Sequence, residues 1–137
     1  MATRSTITLA TPKGYDSIYC HYDGYPSHVG KILKQYYNTE DKVKELIALG
    51  SLSSLDKHLA PEEGVKHTWD KPASDVTVAY HRDRGEDTLP NVKYYDTLYQ
   101  VYWNGEEYNY VFEDGEWKLL VEENYRGVLK PFNTNED

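Results

Sequence analysis

The sequence predicts an α+β fold: an antiparallel sheet of about five or six strands, with an αα-hairpin inserted after the first two and packed on one face. Three observations point there. The stretches 4–11, 15–22 and 75–82, and the chain from Tyr94 onward, alternate apolar and polar side chains with period 2. Between them, residues 27–49 carry apolar side chains at helical spacing. Short stretches of turn chemistry, Pro12-Lys13-Gly14, Asn104-Gly105 and Asp114-Gly115, separate the alternating runs.

Each element follows from its own residues. In 4–11, Ile7 and Leu9 oppose Thr6, Thr8 and Ala10, which makes a half-buried strand. Residues 15–22 form a second strand, with Ile18, Cys20 and Tyr22 on one face and Tyr19 and His21 on the other. The connection between them is short enough for an antiparallel hairpin. Asp23-Gly24-Tyr25-Pro26 breaks the strand, and Ser27 is placed to cap a helix running to about Tyr37. Val29, Ile32, Leu33 and Tyr36 form its apolar stripe. Gly30 inside it implies a close approach by another backbone or a ligand. Thr39 caps the next helix, with Glu40 and Asp41 in its first turn and Gly50 as its terminator. Leu52 and Leu55 suit a short third helical turn.

Residues 56–74 hold two prolines and no period, a long connection in which Trp69 is the natural anchor. A strand over Asp75–Arg82 follows, then the charged run His81-Arg82-Asp83-Arg84-Gly85-Glu86-Asp87 and a break at Thr88–Asn91. From Tyr94 the chain reads as a meander with strands over 94–103, 106–112 and from Trp117, and Tyr125, Leu129 and Phe132 tucked behind. One domain, 1–132, with a frayed tail at 133–137, fits a chain of 137 residues.

Composition narrows the function classes. There are 14 tyrosines and only 2 phenylalanines, which suits half-exposed sheet faces or a binding surface. The single cysteine excludes a disulfide framework or a multi-cysteine zinc site, and by alternation it faces the core. No secretory leader or membrane-spanning run is visible, so the expected location is the cytoplasm. The net charge of −8 is uneven: residues 1–82 balance, while 83–137 carry 5 basic and 13 acidic residues. That distribution disfavours broad nucleic-acid binding and leaves an acidic meander suited to a basic partner.

The chemistry-bearing residues gather around one stretch, Tyr19-Cys20-His21-Tyr22-Asp23-Gly24-Tyr25-Pro26-Ser27-His28-Val29-Gly30. A strand-to-helix junction offers backbone N–H groups to an anion. Arg82 and Arg84 on a neighbouring turn would add guanidinium forks, and tyrosines could stack on a base. The candidate ligand-binding set is therefore His21, Asp23, Tyr25, Ser27, His28, Gly30, His81, Arg82 and Arg84. It includes no catalytic residue, metal ligand or cofactor. An alternative uses His21, Asp23, His28 and His81 as metal ligands or acid–base groups of a phosphodiesterase or other hydrolase.

Thr3-Arg4-Ser5-Thr6-Ile7, Tyr19 to Leu33, Leu46 to Leu55, and Ala79 to Asp87 together resemble a family of small, mostly uncharacterised proteins carried by tailed phages and prophages. The resemblance covers roughly residues 3–90 and leaves out the acidic meander. It carries no activity and no functional residue, only a context. It implies an accessory protein of host takeover or counter-defence. Joined with the residues above, the leading reading is a non-enzymatic protein of the host cytoplasm that binds a host protein or an anionic, nucleotide-like ligand. A structural part of the virion is the second alternative. Self-association is left open.

Overall fold

The computed structural model describes residues 3–85 and 90–134. The chain is α+β. Among the described residues, eight strands form one open sheet: β1 (Ser5–Thr11), β2 (Gly14–Cys20), β3 (Leu52–Ser54), β4 (Val78–Ala79), β5 (Lys93–Tyr95), β6 (Tyr108–Glu113), β7 (Glu116–Glu123) and β8 (Arg126–Lys130). The order across it is β4-β3-β2-β1-β6-β7-β8. β5 pairs with the first half of β2, beside the point where β3 meets Cys20 at its end. The same described residues hold the α-helices α1 (Lys31–Tyr36), α2 (Glu40–Ile47), α3 (Tyr80–Arg84) and α4 (Leu98–Trp103).

The sheet is mixed and larger than the five or six antiparallel strands expected. β1 lies parallel to β6, with Ile7 opposite Tyr110 and Leu9 opposite Phe112, and β2 is parallel to β3. The N-terminal hairpin forms as its turn predicts, with Ile7 opposite Ile18. The β6–β7 hairpin turns at Asp114-Gly115, both in the left-handed region at φ 53° and 78°.

Alternation divides the side chains between two faces. On the first, Ile7, Leu9, Ile18, Cys20, Tyr110, Phe112 and Trp117 meet Val29, Ile32, Leu33, Val43, Leu46 and Ile47 from the helical segment. This is the principal core. On the second, Val111 and Leu120 pack with Val101 of α4, and Leu98 and Leu129 close the edge. Thr6, Thr8, Ser17 and Asn109 are buried on the same face, with Thr8 Oγ1 donating to Ser17 Oγ at 2.9 Å and Thr6 Oγ1 to Asn109 Oδ1 at 2.7 Å. The predicted polar face of β1 is thus buried, its hydroxyls satisfied within the protein.

Other expectations change. Tyr37, not Tyr36, is the buried tyrosine of the helical segment, and the terminal segment expected to tuck behind the sheet is its strand β8. The helix after β2 opens with a π-helical turn, Pro26–Gly30, in which Lys31 N–H donates to Pro26 O; its flanking residue is Tyr25, and Ser27 lies inside the turn. Leu52 begins a strand instead of a helical turn. The strand predicted over Asp75–Arg82 is only Val78–Ala79, because Asp83 Oδ2 accepts the Ala79 N–H at 2.7 Å and starts α3 there. The strand predicted over 94–103 splits into β5 and α4. Thr97 and Gln100 make a reciprocal capping box that outweighs the alternation of Tyr99, Val101 and Trp103. The expected break at Thr88–Asn91 and the charges Glu86 and Asp87 fall wholly or partly outside the described residues, as does most of the 133–137 tail.

Candidate functional site

At the end of β2 the chain turns sharply. Asp23 adopts φ 55°, a left-handed conformation that aspartate tolerates. The turn is tied down on both sides. Gly24 N–H donates to Thr3 O at 2.8 Å, and Tyr110 OH donates to Gly24 O at 2.6 Å. His28 N–H goes to Tyr25 O and Val29 N–H to Asp23 O. With Pro26 lacking an N–H, much of the donor set expected to face an anion is spent inside the turn. Gly30 is buried against aromatic rings: a Cβ there would lie 2.7 Å from the Phe132 ring and 3.3 Å from Tyr110. Its missing side chain makes room for packing. Asp23 accepts a hydrogen bond from Tyr25 OH at 3.2 Å, and the Tyr25 and His28 rings meet edge-on at 6.3 Å. Cys20 is fully buried, and burial pushes its thiol up to about 12. It is an inert core side chain.

The opposite side of β2 is different. Tyr19 and His21 lie on the second face, with Tyr19 OH and His21 Nδ1 2.6 Å apart. The Tyr22 ring, 48% exposed, meets His21 edge-on at 4.5 Å. Burial raises the Tyr19 hydroxyl above its ordinary range; the Arg4 charge opposes this, while Glu106 and Tyr80 add to it. Beside it the face opens into a cavity of about 320 Å³, lined by Thr6, Ser17, Tyr19, Ser51, Asn91, Lys93, Tyr95, Asn104 and Glu106. Its walls are rich in hydroxyl and amide groups, with a lysine and a glutamate at hand. Arg4 is exposed.

The His81–Arg84 segment belongs to another structure. Arg82 donates from Nη2 to Thr77 O at 2.8 Å and from Nε to Asp83 at 2.9 Å, and also hydrogen-bonds Leu59 O. His67 Nδ1 accepts the Ala73 N–H at 2.9 Å, so its proton sits on Nε2, which faces Asp83 at 3.2 Å. Burial pushes the Asp83 carboxyl up, but hydrogen bonds from Arg82 and Ala79 and the Arg82 charge outweigh it, holding it below the usual carboxylate range. Arg84 lies over the Trp69 ring at 4.9 Å, and Trp69 packs on Tyr80 at 5.4 Å. These contacts pin the long 56–77 connection. Arg82 is a clamp for that connection, its guanidinium committed to two carbonyls and a carboxylate.

The contacts described for Asp23–Gly30 run to Thr3, Tyr110 and Phe132, and those for Arg82–Arg84 run to Leu59, Trp69 and Thr77. The two predicted halves of the site are anchored to different parts of the fold. His21 is joined instead by Tyr19 and Tyr22, with the cavity beside Tyr19; Arg4 precedes the Ser5–Cys20 pair of the hairpin. Tyr19 and Arg4 carried a legible signal, since alternation puts both on the face of His21. The cavity's Asn91 and Asn104 carried none, because only the tertiary fold brings them to β2. Among the described residues, no three histidine, cysteine, aspartate or glutamate side chains gather as a metal-holding group. No helix there is long and apolar enough to cross a membrane. No protein-family model, curated protein or solved structure matches the chain.

Proposed function

We propose that this protein is a phage-type accessory protein that acts by binding, and that its ligand is a nucleotide-class anion taken up on the second face of the sheet. The base stacks on the exposed Tyr22 ring with the edge-on His21 at its side, and its own edge is read by the amides and hydroxyls of the adjoining cavity. Arg4 and Lys93 balance the phosphate charge. What carries this reading is the Tyr19–His21 pair beside a polar cavity. Aromatic rings at the edge of a cavity with convergent polar groups suit a planar polar ligand, and a volume of about 320 Å³ is at the small end of ligand sites. The Tyr19 contact commits Nδ1 of His21 and fixes the ring, leaving Nε2 for a ligand. The resemblance of residues 3–90 to phage proteins supplies the accessory role, in host takeover or counter-defence.

Calorimetric titration with nucleoside mono- and diphosphates and cyclic dinucleotides tests it. One class should bind saturably, and His21→Ala and Arg4→Ala should each weaken it about tenfold or more. Failure of every nucleotide to bind, or wild-type affinity in both variants, overturns the reading.

A further inference from the structure

The geometry points to a second binding surface, a groove for a cationic peptide segment of a partner protein, formed by the outer side of α4 and the β6–β7 hairpin. The groove has a volume of about 500 Å³, and its walls include Tyr102, Trp103, Glu106, Glu107, Tyr108 and Glu122. Trp103 is the most exposed tryptophan of the chain at 68%, and Tyr102 beside it is 37% exposed. The Tyr99 ring meets Trp103 edge-on at 6.0 Å and steadies it against the helix.

The composition of the walls chooses the occupant. Three carboxylates and three aromatic rings line the groove, and no cationic side chain does. The nearby Lys130 is already paired with Glu123. An arginine or lysine side chain satisfies both features at once: its charge meets the carboxylates, and its planar or methylene part lies on the indole. A purely apolar segment satisfies only the rings, and an acidic one satisfies neither. The groove is also distinct from the nucleotide site. Glu106 borders both, but the groove's rings come from α4 and β6, and those of the other site from β2, the two residues after it and β5. A cationic segment is therefore expected to bind whether or not His21 is intact.

The test uses the full chain and a short peptide of alternating arginine and glycine, with a glutamate–glycine peptide of equal length as control. Binding is read by amide NMR shifts and, in chains that keep Trp103, also by tryptophan fluorescence. The arginine peptide should bind saturably, moving resonances in Tyr99–Glu107 and Leu119–Glu122. Trp103→Ala should weaken it about tenfold, as should Glu107→Gln combined with Glu122→Gln. His21→Ala, and Glu40→Gln with Glu45→Gln on the remote α2, should leave it unchanged. The groove is overturned by absence of saturable binding or by equal loss in the α2 variant, which marks attraction to the acidic chain as a whole. It is also overturned if sedimentation shows a dimer that Trp103→Ala dissolves, since the occupant is then a second copy. All the substituted side chains except His21 are exposed, so folding of the variants is checked simply by their unfolding temperatures.

Discussion

The two faces of the sheet are built on opposite principles. Under α1 and α2, the first face is a continuous apolar layer in which Ile7, Leu33, Val43 and Leu46 have no measurable exposure. Under α4, the second has a small apolar cluster and a layer of paired hydroxyl and amide groups, flanked by a cavity and a groove. A dry layer gains stability from every methylene removed from water. A layer of satisfied polar groups gains little, because its hydrogen bonds replace equally good bonds to water. The difference teaches where this fold can afford openings. The first face supplies stability, and the second can present rings and polar groups to other molecules at small cost.

Truncation of the first face is the strongest test of that contrast. Leu46→Ala should lower unfolding free energy by about 2–5 kcal/mol in urea titrations, the range for a buried leucine whose cavity cannot collapse. A loss comparable to a surface change would break the distinction. Tyr110→Phe should cost about 1–3 kcal/mol by the same measurement, since it orphans the buried Gly24 carbonyl at the junction. A smaller loss, about 1 kcal/mol, is expected for Thr8→Val on the second face, where the Ser17 hydroxyl loses its partner. If Thr8→Val costs as much as Leu46→Ala, the second face is as rigidly specified as the first, and the comparison fails.

Local chemistry was legible in the sequence wherever neighbours in the chain decide the outcome. Pro12-Lys13-Gly14 and Asp114-Gly115 turn as their residues require, and Thr39 accepts the Lys42 N–H at the start of α2. Gly50 sits at φ 75° past its end. Reading failed where two local signals competed. The Tyr99, Val101, Trp103 alternation spoke for a strand and Thr97-x-x-Gln100 for a helix, and the cap prevailed because Val101 and Leu98 could then cover Val111 and Leu120. At Val78–Arg84 the alternation continued past the strand, and the decisive contact, Asp83 with Ala79 N–H, lay outside the period. The Asn124-Tyr125 turn, with φ 51° and 62°, was announced only by its asparagine. The candidate site was legible as far as His21. Its companions on the same face followed from alternation, but the cavity needed pairings between distant parts of the chain, for which no local pattern exists. Arg82 and Arg84 looked available for a ligand because nothing in the sequence reveals that Leu59 O, Thr77 O and Trp69 will claim them.

The parallel pairing of β1 with β6 has a consequence for how the chain is made. Residues 5–9 find one neighbour, β2, within a hairpin, but their other neighbour is 108–112. During synthesis the middle strand of the future sheet therefore emerges early and waits, one edge unpaired, until about a hundred further residues have been polymerised. Closing so long a loop is slow, and a waiting strand edge can be captured by another nascent chain. The threonines of β1 suit that interval: Thr6 and Thr8 keep the strand from being apolar on both sides while it is exposed, and are buried only when Asn109 and Ser17 are there to receive their hydroxyls.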